Sequence, residues 1–116
     1  MDNKFDLSTL KQYETILGKD KMASLFKDYL NEHREYEAKS SVLLEKNDLE
    51  NLRIIYHSLC FASLVFGMKH FALACSKIEQ DILTEFSSNE IKDDIAKSKK
   101  IFDNEISMVK DYLGIL

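Results

Sequence analysis

Apolar residues recur every three or four positions along most of the chain, which is the period of an amphipathic helix. Such segments are separated by residues that start or stop helices, chiefly Gly18, Asp48 and Gly67. Nowhere does the sequence show the strict alternation of a half-buried strand. The predicted helices are Leu7 to Leu17, Asp20 to about Lys46, Asp48 to Phe66, a fourth through Phe71 and Ile82, and a fifth from a Ser87–Glu90 capping box to the C-terminus.

The connections between the long helices are short, which makes consecutive helices antiparallel. The pattern therefore predicts an all-α fold, an antiparallel up-and-down four-helix bundle with the short first helix covering one end. Gly67 is predicted to form the turn between the third and fourth helices. No linker or repeat divides the chain, so residues 1–116 are expected to form a single domain and a monomer.

The third predicted helix is apolar on two opposite sides. A step of 100° per residue places a core face around Leu59, and Cys60 and Arg53, at about 100° and 120° from Leu59, flank the opposite side. The opposite side, between roughly 140° and 220° from Leu59, should be polar but is mostly apolar. The residues of this outer face are Ile54, His57, Phe61, Leu64 and Met68.

A bundle of this size cannot enclose one helix on all sides. The outer face is therefore predicted to bind a partner, with Cys60 at its margin. The alternative is that the first helix or a loop folds over part of the face, at Phe61 and Leu64.

His57 lies in the middle of the outer face. An exposed imidazole is largely neutral at pH 7, and its unprotonated nitrogen is a nucleophile. A lone surface histidine usually has no function, but this one is surrounded by apolar residues that need a partner. Phosphoryl transfer asks mainly for in-line positioning and charge neutralisation, so His57 is suited to accepting a phosphoryl group.

Composition narrows the classes of partner. The 116 residues include 16 Lys+Arg and 20 Asp+Glu, a net charge of −4, which argues against a nucleic acid or an acidic membrane surface. The apolar stretches are too short for a membrane span, and MDNKFDLS has no apolar signal core. With only Cys60 and Cys75, the thiols are expected to be reduced and the protein cytoplasmic.

The stretch His57-Ser58-Leu59-Cys60-Phe61-Ala62, followed by Gly67 and then by Phe71, Cys75, Ile78 and Glu79, resembles a known motif. It is similar to that of histidine-containing phosphotransfer (HPt) domains, which reads His-x-Leu-Lys-Gly-Ser, with a Gly ten residues after the His and Leu-x-x-x-Cys-x-x-Leu-Glu on the next helix. The sequence from Asp48 to Leu52, just before this motif, is also typical of the family. So is the N-terminal stretch from Phe5 to Phe26.

The resemblance implies a free-standing phosphorelay protein. His57 would accept a phosphoryl group from the aspartate of one response-regulator receiver domain, or from that of a hybrid histidine kinase, and pass it to another. The chain has no Gly-rich phosphate loop and so no kinase activity of its own is expected. It would need no cofactor, since Mg²⁺ is expected only with the partner receiver domain.

This chain departs from the family motif at two positions. The usual Lys is Cys60, which supplies no charge, and the usual Gly is Phe61, which fills room that a receiver domain would use. Arg53 and Lys69 are the nearby cations predicted to compensate by stabilising the phosphoryl charge. The alternative hypothesis is a degenerate HPt-like interaction module, which binds a receiver or kinase without phosphotransfer.

Other chemistry has weaker support. His57 and Cys60 are three residues apart, but two ligands do not make a zinc site and no metal is expected. A Cys60 nucleophile activated by His57 would need an orienting group and a pocket, which the sequence does not indicate. Cys75 and His33 are predicted to pack in or near the core, and His70 to border it.

Overall fold

A computed structural model describes residues 5–84 and 88–115. Over these residues the chain is all-helical, as predicted, and has no strand. Not one of the described helices is both long and apolar enough to cross a membrane. The predicted capping box begins at Ser87, which lies outside the described residues. The helices are α1 (Leu7–Leu17), α2 (Lys19–Glu45), α3 (Leu49–Leu64), α4 (Lys69–Leu83) and α5 (Ser88–Leu113).

The boundary between α1 and α2 is a single glycine. α1 has the predicted bounds, and Asp6 caps it by accepting a hydrogen bond from the Thr9 N–H at 3.2 Å. Gly18, at φ 89°, separates it from α2. The prediction that Asp20 caps α2 is wrong, because the helix already begins at Lys19 and no side chain caps it. Asp20 instead lies in the first turn, where its negative charge interacts favourably with the positive end of the helix dipole.

The turn between α3 and α4 explains why α3 is shorter than predicted. The Gly67 N–H donates to the Leu64 carbonyl at 3.1 Å and the Met68 N–H to the Ser63 carbonyl at 3.2 Å, which is the Schellman pattern of a helix end. Gly67 takes φ 70°, a conformation that favours glycine. The predicted helix turn at Gly67 is therefore confirmed, and α3 ends at Leu64 rather than Phe66.

Met68 does not lie on the outer face of α3. It is fully buried, at 0% exposure, and belongs to the core. The prediction assumed 100° per residue up to position 68, but the chain leaves the helix after Leu64 and turns inward. Met68 thus occupies the position after the turn glycine that commonly packs against the helix end. We exclude Met68 from the partner-binding residues on this ground.

The core lies between the four longer helices. α3 contacts α2 and α4, and α5 contacts α4 and α2, so each of the four longer helices contacts two of the other three. The core includes an aromatic cluster in which the rings of Phe26, on α2, and Phe66, in the turn between α3 and α4, meet edge to face at 5.2 Å. The fully buried side chains on the four helices include Met22, Phe26, Leu52, Cys75, Ile78, Ile91 and Val109.

α1 is held at one end of this assembly. The Asp6 N–H donates to the Gly67 carbonyl at 2.7 Å, and the Tyr112 hydroxyl donates to the Glu14 carboxylate at 2.6 Å. These bonds join α1 to the α3–α4 turn and to the end of α5. Leu10 is the buried residue of α1. Other apolar residues of α1 are exposed, namely Leu7, Tyr13, Ile16 and Leu17.

The start of α4 is capped from another helix. The side chain of the N-cap residue forms no hydrogen bond to the first turn of α4. The buried Glu105 of α5 instead accepts hydrogen bonds from the backbone N–H groups of His70 at 3.3 Å and Phe71 at 2.6 Å. Burial raises the pKa of Glu105, and the two backbone bonds oppose that rise. This contact fixes α4 along α5 and thereby fixes the height at which α4 presents its residues to α3.

Candidate functional site

The outer face of α3, without Met68, is exposed. The His57 side chain is 53% exposed, and Ile54, Phe61 and Leu64 are exposed apolar residues beside it. The alternative that α1 or a loop covers Phe61 and Leu64 is wrong for the part of the chain that the structure describes. Phe61, at 61%, is among the most exposed large apolar side chains. Such a patch around a histidine is typical of a surface that binds another molecule.

The imidazole of His57 is held by a carboxylate from the neighbouring helix. Nδ1 of His57 lies 3.1 Å from both Oε1 and Oε2 of Glu79 on α4. A carboxylate only accepts hydrogen bonds, so Nδ1 carries the proton and donates it to Glu79. The lone pair of the neutral ring is therefore on Nε2. Within residues 5–84 and 88–115, the His57 ring hydrogen-bonds only to Glu79, so Nε2 is available to a reactant.

Arg53 completes this group of charges. Its Nη1 donates to Oε2 of Glu79 at 2.9 Å, while Nη2 and Nε donate to Glu50 at 2.6 and 3.2 Å. Arg53 lies one helical turn before His57, so both residues face Glu79. We call Glu50, Arg53, His57 and Glu79 the His57 cluster. The bonds to Glu50 and Glu79 raise the pKa of the Arg53 guanidinium, and the Arg53 bond lowers the pKa of Glu50.

Phe61 crowds one side of the imidazole. Its ring meets the His57 ring edge to face, with centroids 5.0 Å apart and planes at 66°. Phe61 lies one turn after His57, so the contact follows from the helix itself. The ring occupies the place where the resemblance implies a glycine. A partner that docks on His57 therefore also meets the exposed Phe61 ring.

Cys60 is only partly buried, and burial, followed by the nearby Glu79 charge, raises the pKa of its thiol. A protonated thiol is a weak nucleophile, and among the described residues no hydrogen bond joins the Cys60 thiol to His57, whose ring bonds Glu79. The geometry therefore does not support a Cys60 nucleophile. Over the described residues, no three His, Cys, Asp or Glu side chains are grouped to hold a metal ion.

Lys69 lies away from His57. It is the first residue of α4, ten positions before Glu79, and so about 15 Å from it along the helix axis. Its charge acts instead on Asp6, whose pKa is lowered first by hydrogen bonds from Thr9 and, to a smaller extent, by Lys69. Of the two cations predicted to compensate for Cys60, only Arg53 lies beside His57.

Glu79 is the residue whose role the sequence did not indicate. In the sequence it is only one of several residues that match the family motif. The signal was present, because His57 and Glu79 stand ten and twelve positions on either side of the Gly67 turn. Residues at similar distances from a tight turn between antiparallel helices lie side by side.

A shallow apolar groove adjoins the outer face between α2 and α3. It encloses about 570 Å³, and Ile54 belongs to both the groove and the outer face. The groove extends the exposed apolar surface from α3 toward α2. Its lining residues are Tyr36, Ala38, Lys39, Val42, Leu43, Asn51, Ile54 and Ile55.

Comparisons of this chain with protein-family models, with curated proteins and with solved structures each found no match.

Proposed function

We propose that this chain is a histidine phosphotransfer protein. Nε2 of His57 accepts a phosphoryl group from the aspartyl phosphate of one receiver domain and passes it to the aspartate of a second. One observation carries the proposal: the exposed imidazole donates Nδ1–H to Glu79 and so presents the Nε2 lone pair outward. A histidine held in this way has the tautomer that a nucleophile at Nε2 requires.

In the transfer step, the Nε2 lone pair forms a bond to phosphorus as the bond from phosphorus to the aspartyl oxygen breaks. The donor aspartate leaves as a carboxylate. The imidazole gains positive charge as the new bond forms, and the Glu79 carboxylate, 3.1 Å from Nδ1, stabilises that charge. The reverse step, on a second receiver domain, restores the neutral ring.

The fold that we propose for this role is an antiparallel up-and-down four-helix bundle formed by α2 to α5. Support comes from the neighbours of each helix, since consecutive helices contact each other and α2 also contacts α5. Short connections, such as the Gly67 turn, favour antiparallel neighbours. Such a bundle presents the middle of one rigid helix to a partner, which suits a reaction that depends on positioning.

The partner that we propose is a receiver domain, on its own or within a hybrid histidine kinase, docking on Ile54, Cys60, Phe61 and Leu64. Around His57, Glu50 and Glu79 carry two negative charges against one positive charge on Arg53. The His57 cluster therefore supplies no free cation for the phosphoryl group. The neutralising charge comes from the partner, with its Mg²⁺. We place the reaction in the cytoplasm, where free thiols such as those of Cys60 and Cys75 stay reduced.

A second candidate function is docking without transfer, as an HPt-like interaction module. The observation that favours it is Phe61, whose exposed ring packs edge to face against the imidazole and takes up space that a reactant would need. In this case the outer face binds a receiver or kinase, and His57 is part of the contact surface only.

Transfer from purified receiver domains carrying radioactive phosphate tests the proposal. We expect the native protein to carry label that is stable in base and lost in acid, as phosphohistidine is. We expect no label on the His57→Gln variant. The His70→Gln variant is the matched control, because His70 lies outside the His57 cluster, and it should be labelled like the native protein. Complex formation without label would support docking alone. Neither label nor complex with any of a broad panel of receivers would overturn both functions.

A further inference from the structure

We infer that Arg53 is a positioning residue for His57, which acts by fixing the carboxylate of Glu79 and does not itself contact the phosphoryl group. For the transfer reaction this inference rests on the proposed function. For the orientation and tautomer of the imidazole it rests on the geometry of the His57 cluster alone.

Glu79 needs a second contact to hold His57 in one orientation. Its side chain is 13% exposed, and its carboxylate could rotate if His57 were its only partner. The Nη1 group of Arg53 bonds Oε2 at 2.9 Å, and the same oxygen accepts from Nδ1 of His57. Because Arg53 fixes Oε2, Oε1 also stays within 3.1 Å of Nδ1. The carboxylate thus faces the ring with both oxygens.

Arg53 is itself anchored on the same helix. Two of its nitrogens bond the two carboxylate oxygens of Glu50, at 2.6 and 3.2 Å. This paired arrangement uses the planar fork of the guanidinium and leaves Nη1 directed at Glu79. A lysine has no such fork, so it would supply the charge without fixing the geometry.

The positive charge of Arg53 is already paired with carboxylates of this chain. Two carboxylates share it, so little of it remains for an incoming phosphoryl group. The prediction that Arg53 stabilises the phosphoryl charge directly is therefore replaced here by an indirect role through Glu79. An ionised, fixed Glu79 favours the Nδ1–H tautomer and leaves Nε2 as the nucleophile.

Helix α4, which carries Glu79, offers a matched control. Lys77 on α4 also bonds two carboxylates, Asp81 at 3.1 Å and Asp94 at 3.0 Å. This group links α4 to α5, on the other side of α4 from His57, so its loss removes a comparable ion pair without touching Glu79. An effect shared by the Arg53 and Lys77 variants would reflect only a weaker bundle.

The experiment measures the tautomer of His57 by ¹⁵N NMR at pH 8 in protein labelled on its histidine rings. The His57→Gln spectrum assigns the signals. We expect the native ring to be mainly Nδ1–H, and Arg53→Met to shift the tautomer ratio roughly tenfold toward Nε2–H, the order of one charge-assisted hydrogen bond. Arg53→Lys should restore part of the bias, and Lys77→Met should leave the native ratio. Glu79→Ala gives the tautomer ratio expected when the carboxylate is absent altogether.

Arg53→Gln is the second uncharged variant, in case Arg53→Met does not fold. A native tautomer ratio in whichever of these variants folds, with a shifted ratio in Glu79→Ala, would overturn the inference. The transfer rate is measured on the same proteins and should fall with the loss of the Nδ1–H tautomer. If the tautomer responds as expected but native protein is never phosphorylated, the proposed function fails while the positioning role of Arg53 stands.

Discussion

Two histidines of this chain occupy opposite environments. His33 of α2 is buried against aromatic rings, stacked on Phe102 at 3.6 Å with the planes 7° apart, and edge-on to Phe71 at 5.8 Å. Within the described residues its ring forms no hydrogen bond. His57 of α3 is half exposed and donates Nδ1–H to Glu79.

The difference shows that the neighbours of a histidine, more than its presence on a helix, determine what it can do. Burial lowers the pKa of His33, and Glu37 and Asp103 only partly oppose this shift, so His33 packs as a neutral aromatic ring. His57 has a defined tautomer and an open nitrogen. His33 is thus part of the core, and His57 is the candidate for chemistry.

The largest difference in stability between the two regions is expected when the aromatic neighbour of each histidine is removed. Phe102→Ala should destabilise the protein by about 3 to 5 kcal/mol, because Phe102 packs against His33 and Phe71 in the core. Phe61→Ala should change stability by no more than about 0.5 kcal/mol, because Phe61 is an exposed side chain. Urea unfolding of both variants measures the two effects. Equal losses would mean that the outer face of α3 is part of the core.

The exposed face of α3 could be predicted from the sequence because periodicity reports which side of a helix each residue occupies. This prediction succeeded for Ile54, His57, Phe61 and Leu64, which are exposed. It failed for Met68 because periodicity has no meaning once the chain leaves the helix. The position of that exit depends on the hydrogen bonds of the Gly67 turn.

Contacts between helices were harder to predict. The His57–Glu79 bond depends on the relative height of α3 and α4, which is set by the Gly67 turn and by Glu105 capping α4. Arg53 was identified from its position one turn before His57. Its ion pair with Glu79 required knowledge of the neighbouring helix.

The next prediction concerns the rate of phosphoryl transfer and the two positions that depart from the family motif, Cys60 and Phe61. The double variant Cys60→Lys/Phe61→Gly should increase phosphoryl transfer from a generic receiver, by up to about 100-fold if Phe61 displaces the reactants by near 1 Å. Cys60→Lys adds a cation beside a cluster that has none free, and Phe61→Gly costs roughly 1 kcal/mol in helix propensity. Rapid-quench kinetics with several receivers measures the change. Equal native and variant rates would show that these positions do not limit transfer.

A charge on the outer face should affect binding without affecting folding. Leu64→Glu is expected to weaken binding to a cognate receiver about tenfold or more, and to change stability by no more than about 0.5 kcal/mol. Ile16→Glu on α1 is the matched control, since Ile16 is also an exposed apolar residue but lies off α3. Titration calorimetry and urea unfolding measure the two quantities. Unfolding of the Leu64 variant would show that the face is core.

The smallest expected effect is the pH dependence that His33 imparts to stability. Because folding lowers the pKa of His33, its neutral ring is favoured in the native state. That contribution is fully present above about pH 6.5 and is lost as the pH falls below this value. His33→Phe should therefore lose less stability between pH 7 and pH 5 than the native protein. Identical losses over this interval, measured by urea unfolding at pH 7 and pH 5, would contradict a buried, neutral His33.

The most direct test of the account is the identity of the atom that receives phosphorus. Protein with ¹⁵N in its three histidine rings would be phosphorylated by a receiver domain, and coupling between ³¹P and each ring nitrogen measured by NMR. The account predicts phosphorus on Nε2 of His57, because Glu79 occupies Nδ1. Phosphorus on Nδ1 of His57, or on His33 or His70 with His57 unmodified, would contradict it.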